Sequence, residues 1–143
     1  MAAKIKALAR YRKKGGPEEP LQQARLLAGL GMESNFHQGG DRQLCLLTAE
    51  IRDWMSLQTQ EGICFARLKE NILIEGMPST SLLPGVKICM GEAVLQISEA
   101  RKRCHTGCSL RAQGMQCRLP ESAVFAVVLQ GGIVRAGDSV SIL

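Results

Sequence analysis

The chain has 143 residues, with 18 Lys and Arg against 13 Asp and Glu, 15 Gly, 6 Cys and a formal net charge of +5. That length suits a single domain over residues 1–143, and a chain of this size hides roughly 70% of its unfolded surface without staples. A hydrophobic content of 45% argues against disorder, and no run of 18 apolar residues is present to cross a membrane. The first ten residues also lack the apolar block of a secretory leader, so the expectation is a cytoplasmic protein with reduced thiols.

In chain order, residues 5 to 11 alternate, with Ile5, Ala7, Ala9 and Tyr11 on one side, and read as a half-buried strand. Lys13 to Pro17 is a turn by composition. Leu21 to Leu30 fits a strand or a helical turn. Gly29, Gly31, Gly39 and Gly40 bracket an irregular loop that carries Asn35, Phe36 and His37. Gln43 to Leu47 is a short apolar strand. Thr48 then offers an N-cap, Glu50 suits the first turn, and Ile51, Trp54 and Met55 recur at helical spacing, which predicts an amphipathic helix over 49–59. Gly62 offers its end signal.

The second half reads as strands. Asn71 to Glu75 is one. Val86 to Met90 and Ala93 to Ser98 flank a Gly91-Glu92 turn and predict a hairpin. Ala123 to Leu129 is a continuous apolar run, expected to be buried on both faces. Gly131-Gly132 and Gly137-Asp138 are hairpin turn signals. Many short strands with Gly-marked turns and one good helix predict a mainly β fold with few helices, a closed or nearly closed barrel.

The charge and the thiols are unevenly placed. Lys4 to Lys14 and Arg101 to Arg118 form two basic stretches that contain no acid, which together can attract an anion. Scattered aromatics and the lack of a zinc-finger or helix-turn-helix pattern speak against nucleic acid. Cys45, Cys64 and Cys89 sit among apolar residues and read as core fillers. Cys104, Cys108 and Cys117 share a long connection, where functional groups concentrate. Arg103 and His105 flank Cys104, and nearby cations favour the thiolate, the form that attacks sulfur and binds soft metals. Three uses of these thiols stay open: a Cys104 that carries sulfur, a zinc-type metal site of Cys104, Cys108 and Cys117 with His105 or His37, and a redox pair. The spacing lacks the close cysteine knuckle of most zinc sites. Beside them stands the plainer reading of structural thiols in a loop. No P-loop, serine triad or zinc-protease motif is present. Asp41-Arg42 reads as a local charge pair, and the Glu70-Asn71 pair as a strand start at which Asn caps a turn.

These pieces occur in a telling order. A Gly-rich loop with His37 precedes Asp41-Arg-Gln-Leu-Cys-Leu-Leu47, and Glu70-Asn-Ile-Leu-Ile-Glu-Gly76 follows. Next come Leu83 to Ile97 and Arg101-Lys-Arg-Cys104, and finally Phe125 to Asp138. Over nearly its whole length the chain resembles the MOSC domain, named for the C-terminal domain of molybdenum cofactor sulfurase, and looks like a small stand-alone bacterial member. The resemblance implies a MOSC-type β-barrel whose motif cysteine maps onto Cys104. It implies binding of the molybdenum cofactor (molybdopterin) or a related pterin, with sulfur held or transferred at Cys104. Arg101, Lys102, Arg103, Arg42, His37 and Asn71 are the candidate cofactor-binding residues, and the cations among them suit its phosphate. The expected partners are the pterin cofactor or a protein that donates or accepts sulfur, since no pyridoxal-phosphate desulfurase domain is seen. Zinc on Cys104, Cys108, Cys117 and His105 is the alternative, in a non-catalytic metal or redox module. A basic N-terminal strand that docks acidic proteins is a third expectation. Asn35, Arg103 and Lys69 depart from the family pattern, standing where Asp, Pro and Gly are usual.

Overall fold

The structure, a computed structural model, describes residues 3–13, 16–36, 38–57, 70–101 and 124–143. Eleven strands and one α-helix are assigned among them. The strands are β1 (Ala3–Arg10), β2 (Glu19–Leu21), β3 (Gln23–Leu27), β4 (Gly31–Met32), β5 (Leu44–Thr48), β6 (Ile72–Glu75), β7 (Lys87–Met90), β8 (Ala93–Arg101), β9 (Val124–Gln130), β10 (Gly132–Arg135) and β11 (Ser139–Ile142). The helix α1 is Ala49–Leu57.

Seven strands close into a barrel in the order β11-β7-β8-β9-β5-β6-β1, and β1 returns to β11. Closure removes the exposed edges that an open sheet of apolar strands would present. The β5–β6 pair is parallel, with Leu46 opposite Ile72, and the connection between them runs through α1, as a parallel crossover requires. β2 extends the free half of β1. A small second sheet, β10-β3-β4, lies against the barrel, and its Ala24, Leu26, Met32 and Val134 belong to the same apolar core as Leu44, Leu46, Ile72, Leu95 and Ala126.

The predicted barrel and helix are present, and four local expectations are corrected. The β1 alternation breaks because a bulge at Lys6 sets Ile5 and Ala7 against consecutive residues Ile74 and Leu73. Leu8 thereby turns into the core and Ala7 turns out. The β9 run is not buried on both faces. Val124, Ala126 and Val128 point inward, the residues between them are half-covered, and a second register step leaves Leu129 exposed. Gly131-Gly132 and Gly137-Asp138 do not close hairpins. β10 pairs with β3, and β11 pairs with β7 and β1. Thr48 stands before α1 but makes no cap. It is still paired to Ile74 in β5, and its Oγ1 is buried with no partner among the described residues. Glu50 instead ties the start of α1 to the next connection by accepting a hydrogen bond from the Ser79 N–H at 2.7 Å.

The basic N-terminal stretch is also corrected, because acids distant in sequence come to it in space. Lys4 lies 3.5 Å from Glu75. Glu19 on β2 accepts from Arg10 Nη2 at 2.6 Å and from Arg12 Nε at 2.8 Å. These hydrogen bonds, Arg10's first, hold the Glu19 carboxyl down at about 2, below its ordinary 4.5. A depressed carboxylate stabilises the fold above its unfolded value and loses that contribution as pH falls toward its folded value. Denaturant midpoints of Glu19→Gln and wild type should therefore differ above about pH 5 and converge by about pH 2. A gap that stays constant over that range would contradict the bridge.

Candidate functional site

The candidate site is built on a row that runs from β9 through β5 and the entry of β6 to β1. Phe125 of β9 stands opposite Cys45 of β5. The Asn71 N–H donates to the Cys45 carbonyl at 2.8 Å, and the Ala9 N–H of β1 donates to the Asn71 carbonyl at 2.9 Å. Paired residues in a sheet share a face, and their neighbours Leu44, Leu46, Ile72 and Leu8 face the core. The row therefore lies on the outer side of the barrel wall. There it is joined by α1, which packs on β5 and β6, and by the Gly-rich loop before β5.

Two asparagine amides fix that loop. Asn71 Oδ1 accepts from the Cys45 N–H at 3.1 Å. Its Nδ2 donates to the Ala9 carbonyl at 3.1 Å and to Asn35 Oδ1 at 3.2 Å. Asn35 Oδ1 also accepts the Tyr11 N–H at 2.9 Å, and the Phe36 N–H donates to the Tyr11 carbonyl at 2.8 Å. Both amides are buried. Asn71 is among the candidate cofactor-binding residues of the sequence, and in the structure both of its side-chain donors are engaged inside the protein. It holds the loop in place. Ser34 takes a left-handed backbone at the approach to this bracket, with φ 65°.

Arg42 stands at the far end of the same loop. Gly39 and Gly40 both adopt left-handed conformations ahead of it. Gln43 follows it, buried, with Nε2 donating to the Gly40 carbonyl at 3.1 Å and Oε1 accepting the Val128 N–H at 2.9 Å. Arg42 itself is exposed, and its guanidinium carbon sits 4.8 Å from the centroid of the Phe125 ring. That distance is a cation–π contact. The sequence reads it as half of a local charge pair with Asp41 and as a cofactor-binding candidate.

Beside the row is a phenol–carboxylate group. The Tyr11 hydroxyl donates to Glu18 Oε1 at 3.1 Å, with the Glu70 carbonyl 3.4 Å away. Burial, followed by the charges of Glu70 and Glu18, raises the Tyr11 pKa. The phenol thus stays a donor. Arg52 of α1 forms an ion pair with Glu70, whose other oxygen is buried without a partner among the described residues. The pair clamps α1 to the residue just before Asn71, at the entry to β6.

The segment that carries Cys104 leaves from β8 at Arg101 and returns at Val124, and these two residues are paired. The exit follows a register step between Ile97 and Arg101, so the chain leaves the barrel at a bulge. Val124 pairs with Leu46, one step from the Cys45–Phe125 pair. The structure thus brings the backbone ends of that segment beside Arg42, Phe125 and Cys45. Cys104, His105, Cys108, Cys117, Lys102, Arg103, His37 and Cys64 lie outside the described residues. Cys45 is buried as expected, whereas Cys89 is only half-buried. Among the described residues no group of three or more His, Cys, Asp or Glu could hold a metal ion. No helix among them is long and apolar enough to cross a membrane.

A family model for the MOSC domain matches residues 33–141, from the Gly-rich loop to the last strand. The chain belongs to the MOSC domain family. That family is associated with molybdenum cofactor binding. The MOSC fold is also that of several solved structures. The chain is similar to the YuaD protein of Bacillus subtilis at 20% identity, covering 99% of this chain and 96% of that one, with a TM-score of 0.75. It is similar to YiiM of Escherichia coli at 22% identity, covering 98% and 69%, with a TM-score of 0.64. It is similar to YiiM of Geobacillus stearothermophilus at 18% identity, covering 99% and 75%, with a TM-score of 0.65. No curated protein matches the chain significantly.

The described residues of this MOSC domain fit a phosphate-bearing ligand in one respect that can be tested. An exposed guanidinium that rests on the Phe125 ring suits a phosphate oxygen. Phe125 was counted in the sequence as a scattered aromatic and as the first residue of the last motif, with no role of its own. The available cue was an aromatic placed directly after the cysteine-bearing connection, at the start of an otherwise aliphatic strand. Glu70 and Tyr11 carried no comparable cue, because their meeting depends on β1 pairing with β6.

Proposed function

We propose that this MOSC domain binds the molybdenum cofactor and holds or hands on sulfur through Cys104. The observation that supports the reading best is the pairing of Arg101 with Val124 beside Arg42 and Phe125. It roots the one segment with a basic, thiol-rich sequence next to the exposed arginine of the Gly-rich loop. In this reading Arg42, with Arg101, Lys102 and Arg103, neutralises the cofactor's phosphate, and His37 adds a hydrogen bond from the same loop. When bound, the cofactor supplies a soft metal that a thiolate ligates well. The cations around Cys104 in the sequence favour its thiolate.

Sulfur arrives from a donor protein that carries a persulfide. The Cys104 thiolate attacks the outer sulfur of that persulfide, a new S–S bond forms at Cys104, and the old S–S bond breaks with the donor sulfur leaving as a thiolate. Nothing is oxidised or reduced overall. Arg101 to Arg103 keep the resulting perthiolate anionic and nucleophilic.

Mass spectrometry of anaerobically purified protein tests this. Wild type is expected to carry pterin and molybdenum and, after exposure to a donor persulfide, one extra sulfur on the Cys104 peptide. Cys104→Ser should lose the sulfur adduct completely. Protein without cofactor whose Cys104→Ser variant behaves as wild type would sink the reading. Stoichiometric zinc with three protected thiols would replace it with the metal module.

A further inference from the structure

The hydrogen-bond bracket of the Gly-rich loop leaves one edge open. Asn71 Oδ1 accepts the Cys45 N–H and its Nδ2 donates to the Ala9 carbonyl, so that amide has a single orientation. The orientation of Asn35 follows from it. Its Oδ1 accepts from Asn71 Nδ2 at 3.2 Å and from the Tyr11 N–H at 2.9 Å, two donors that only an oxygen can meet. The nitrogen of Asn35 is therefore the other edge of its amide. Asn35 is 6% exposed, yet Nδ2 donates to none of the described residues, and it is not sealed from solvent. The side chain is buried around its oxygen and open at its nitrogen. Burial and the two bonds to Oδ1 fix the amide plane, and both N–H bonds of Nδ2 lie in that plane. A donor held in this way meets a ligand without first ordering a side chain.

The open edge belongs to the row already described. Asn71 bridges it to Cys45, the strand partner of Phe125, beside the paired ends of the segment that carries Cys104. Charge decides which acceptor suits it. Glu18 accepts from the Tyr11 hydroxyl, and the negative charge of Glu18 and Glu70 at Tyr11 is answered only in part by Arg52. Those carboxylates repel an oxyanion, whereas an uncharged lone pair beside a neutral amide escapes that cost. We infer that Asn35 is a specificity-determining residue, and that its Nδ2 donates to an uncharged acceptor on a heterocyclic ligand, a ring carbonyl oxygen or a ring nitrogen. That the heterocycle is a pterin rests on the function proposed above, whereas the open donor edge does not. An aspartate here would keep the oxygen that the bracket needs and turn the open edge from donor to acceptor.

The test titrates the isotope-labelled full chain with uncharged hydroxymethylpterin and follows the side-chain amide protons of Asn35 by NMR. One of them should move downfield to saturation, and its exchange with water should slow. Inorganic phosphate in place of the pterin should leave both protons where they are. Asn35→Asp retains the acceptor for Tyr11 and Asn71 but loses the donor. It should bind the pterin about tenfold or more weakly, the scale of one unmet hydrogen bond, with a urea midpoint close to that of wild type. A purely structural amide predicts instead an affinity that does not change. The inference is overturned if the pterin leaves the Asn35 protons unmoved, if phosphate moves them instead, or if Asn35→Asp binds the pterin as wild type does. Should Asn35→Asp not fold, the wild-type titrations with pterin and with phosphate decide by themselves. The two readings fail separately. Loss of the Cys104 sulfur adduct does not touch the Asn35 shift, and unmoved Asn35 protons do not touch the adduct.

Discussion

Asn71→Ala is expected to lower stability by about 2–4 kcal/mol, seen as a lower urea midpoint at unchanged slope. The reason is an accounting of buried partners. The wild-type amide serves the Cys45 N–H, the Ala9 carbonyl and Asn35 Oδ1. Truncation leaves the Cys45 N–H without its side-chain acceptor in a buried row, and an unsatisfied buried donor costs about 1–3 kcal/mol by itself. It also takes one of the two donors from Asn35 Oδ1, so the Gly-rich loop is then held at that atom by Tyr11 alone. Asn71→Asp should be worse than alanine at neutral pH. Its carboxylate could still accept from Cys45, but it would face the Ala9 carbonyl and Asn35 Oδ1 acceptor to acceptor, close to Glu70. A loss below about 1 kcal/mol for both variants would mean that the bracket carries no weight.

The same residues show what the sequence could and could not say. Alternation at Val86 to Ile97 and the apolar run at Val124 to Val128 were enough to place strands, since both signals are local and the barrel core reads them directly. The helix was legible for the same reason. The β10 and β11 pairings were not, because a Gly-Gly step looks alike whether the next strand folds back or crosses to another sheet. The bulges at Lys6 and near Leu129 were equally hidden, as each depends on the partner strand's register. Motif order singled out Arg42 and Asn71, and the structure places them differently, one exposed and one buried. Asn71 turned inward because three partners from separate segments meet it. Arg42 faces outward, with its guanidinium over the Phe125 ring. The paired acids of the N-terminal stretch were hidden too, with Glu19 and Glu75 brought in by pairing with β1.

Gly91→Ala is the second large expected effect, at about 2–5 kcal/mol. Gly91 takes a left-handed backbone, φ 53°, in the turn between β7 and β8. A Cβ there would lie 2.5 Å from Asp138 Oδ2 and 2.9 Å from the Ile133 carbonyl oxygen. The first atom is a side-chain end, but it is already engaged, since Asp138 Oδ2 accepts the Arg135 N–H at 2.7 Å. The second is backbone in β10 and cannot yield alone. Ile133 is also bound to the next turn residue, with its N–H donating to Glu92 Oε1 at 3.2 Å and its carbonyl accepting the Glu92 N–H at 3.3 Å. Asp138 in turn joins β1, its carbonyl accepting the Ile5 N–H at 2.9 Å. A methyl at position 91 therefore presses on the point where the small sheet meets the barrel and the barrel closes. Left-handed strain for a non-glycine residue costs about 1–2 kcal/mol, and a forced contact adds about 1–3 kcal/mol. Gly137→Ala separates the two parts. Gly137 is also left-handed, φ 93°, but its Cβ would meet nothing within 4 Å, so only the strain applies. Thermal melts of the two variants should place Gly91→Ala clearly below Gly137→Ala. Equal melting temperatures would show that the turn and β10 can part without cost, and that the junction does not hold the barrel closed.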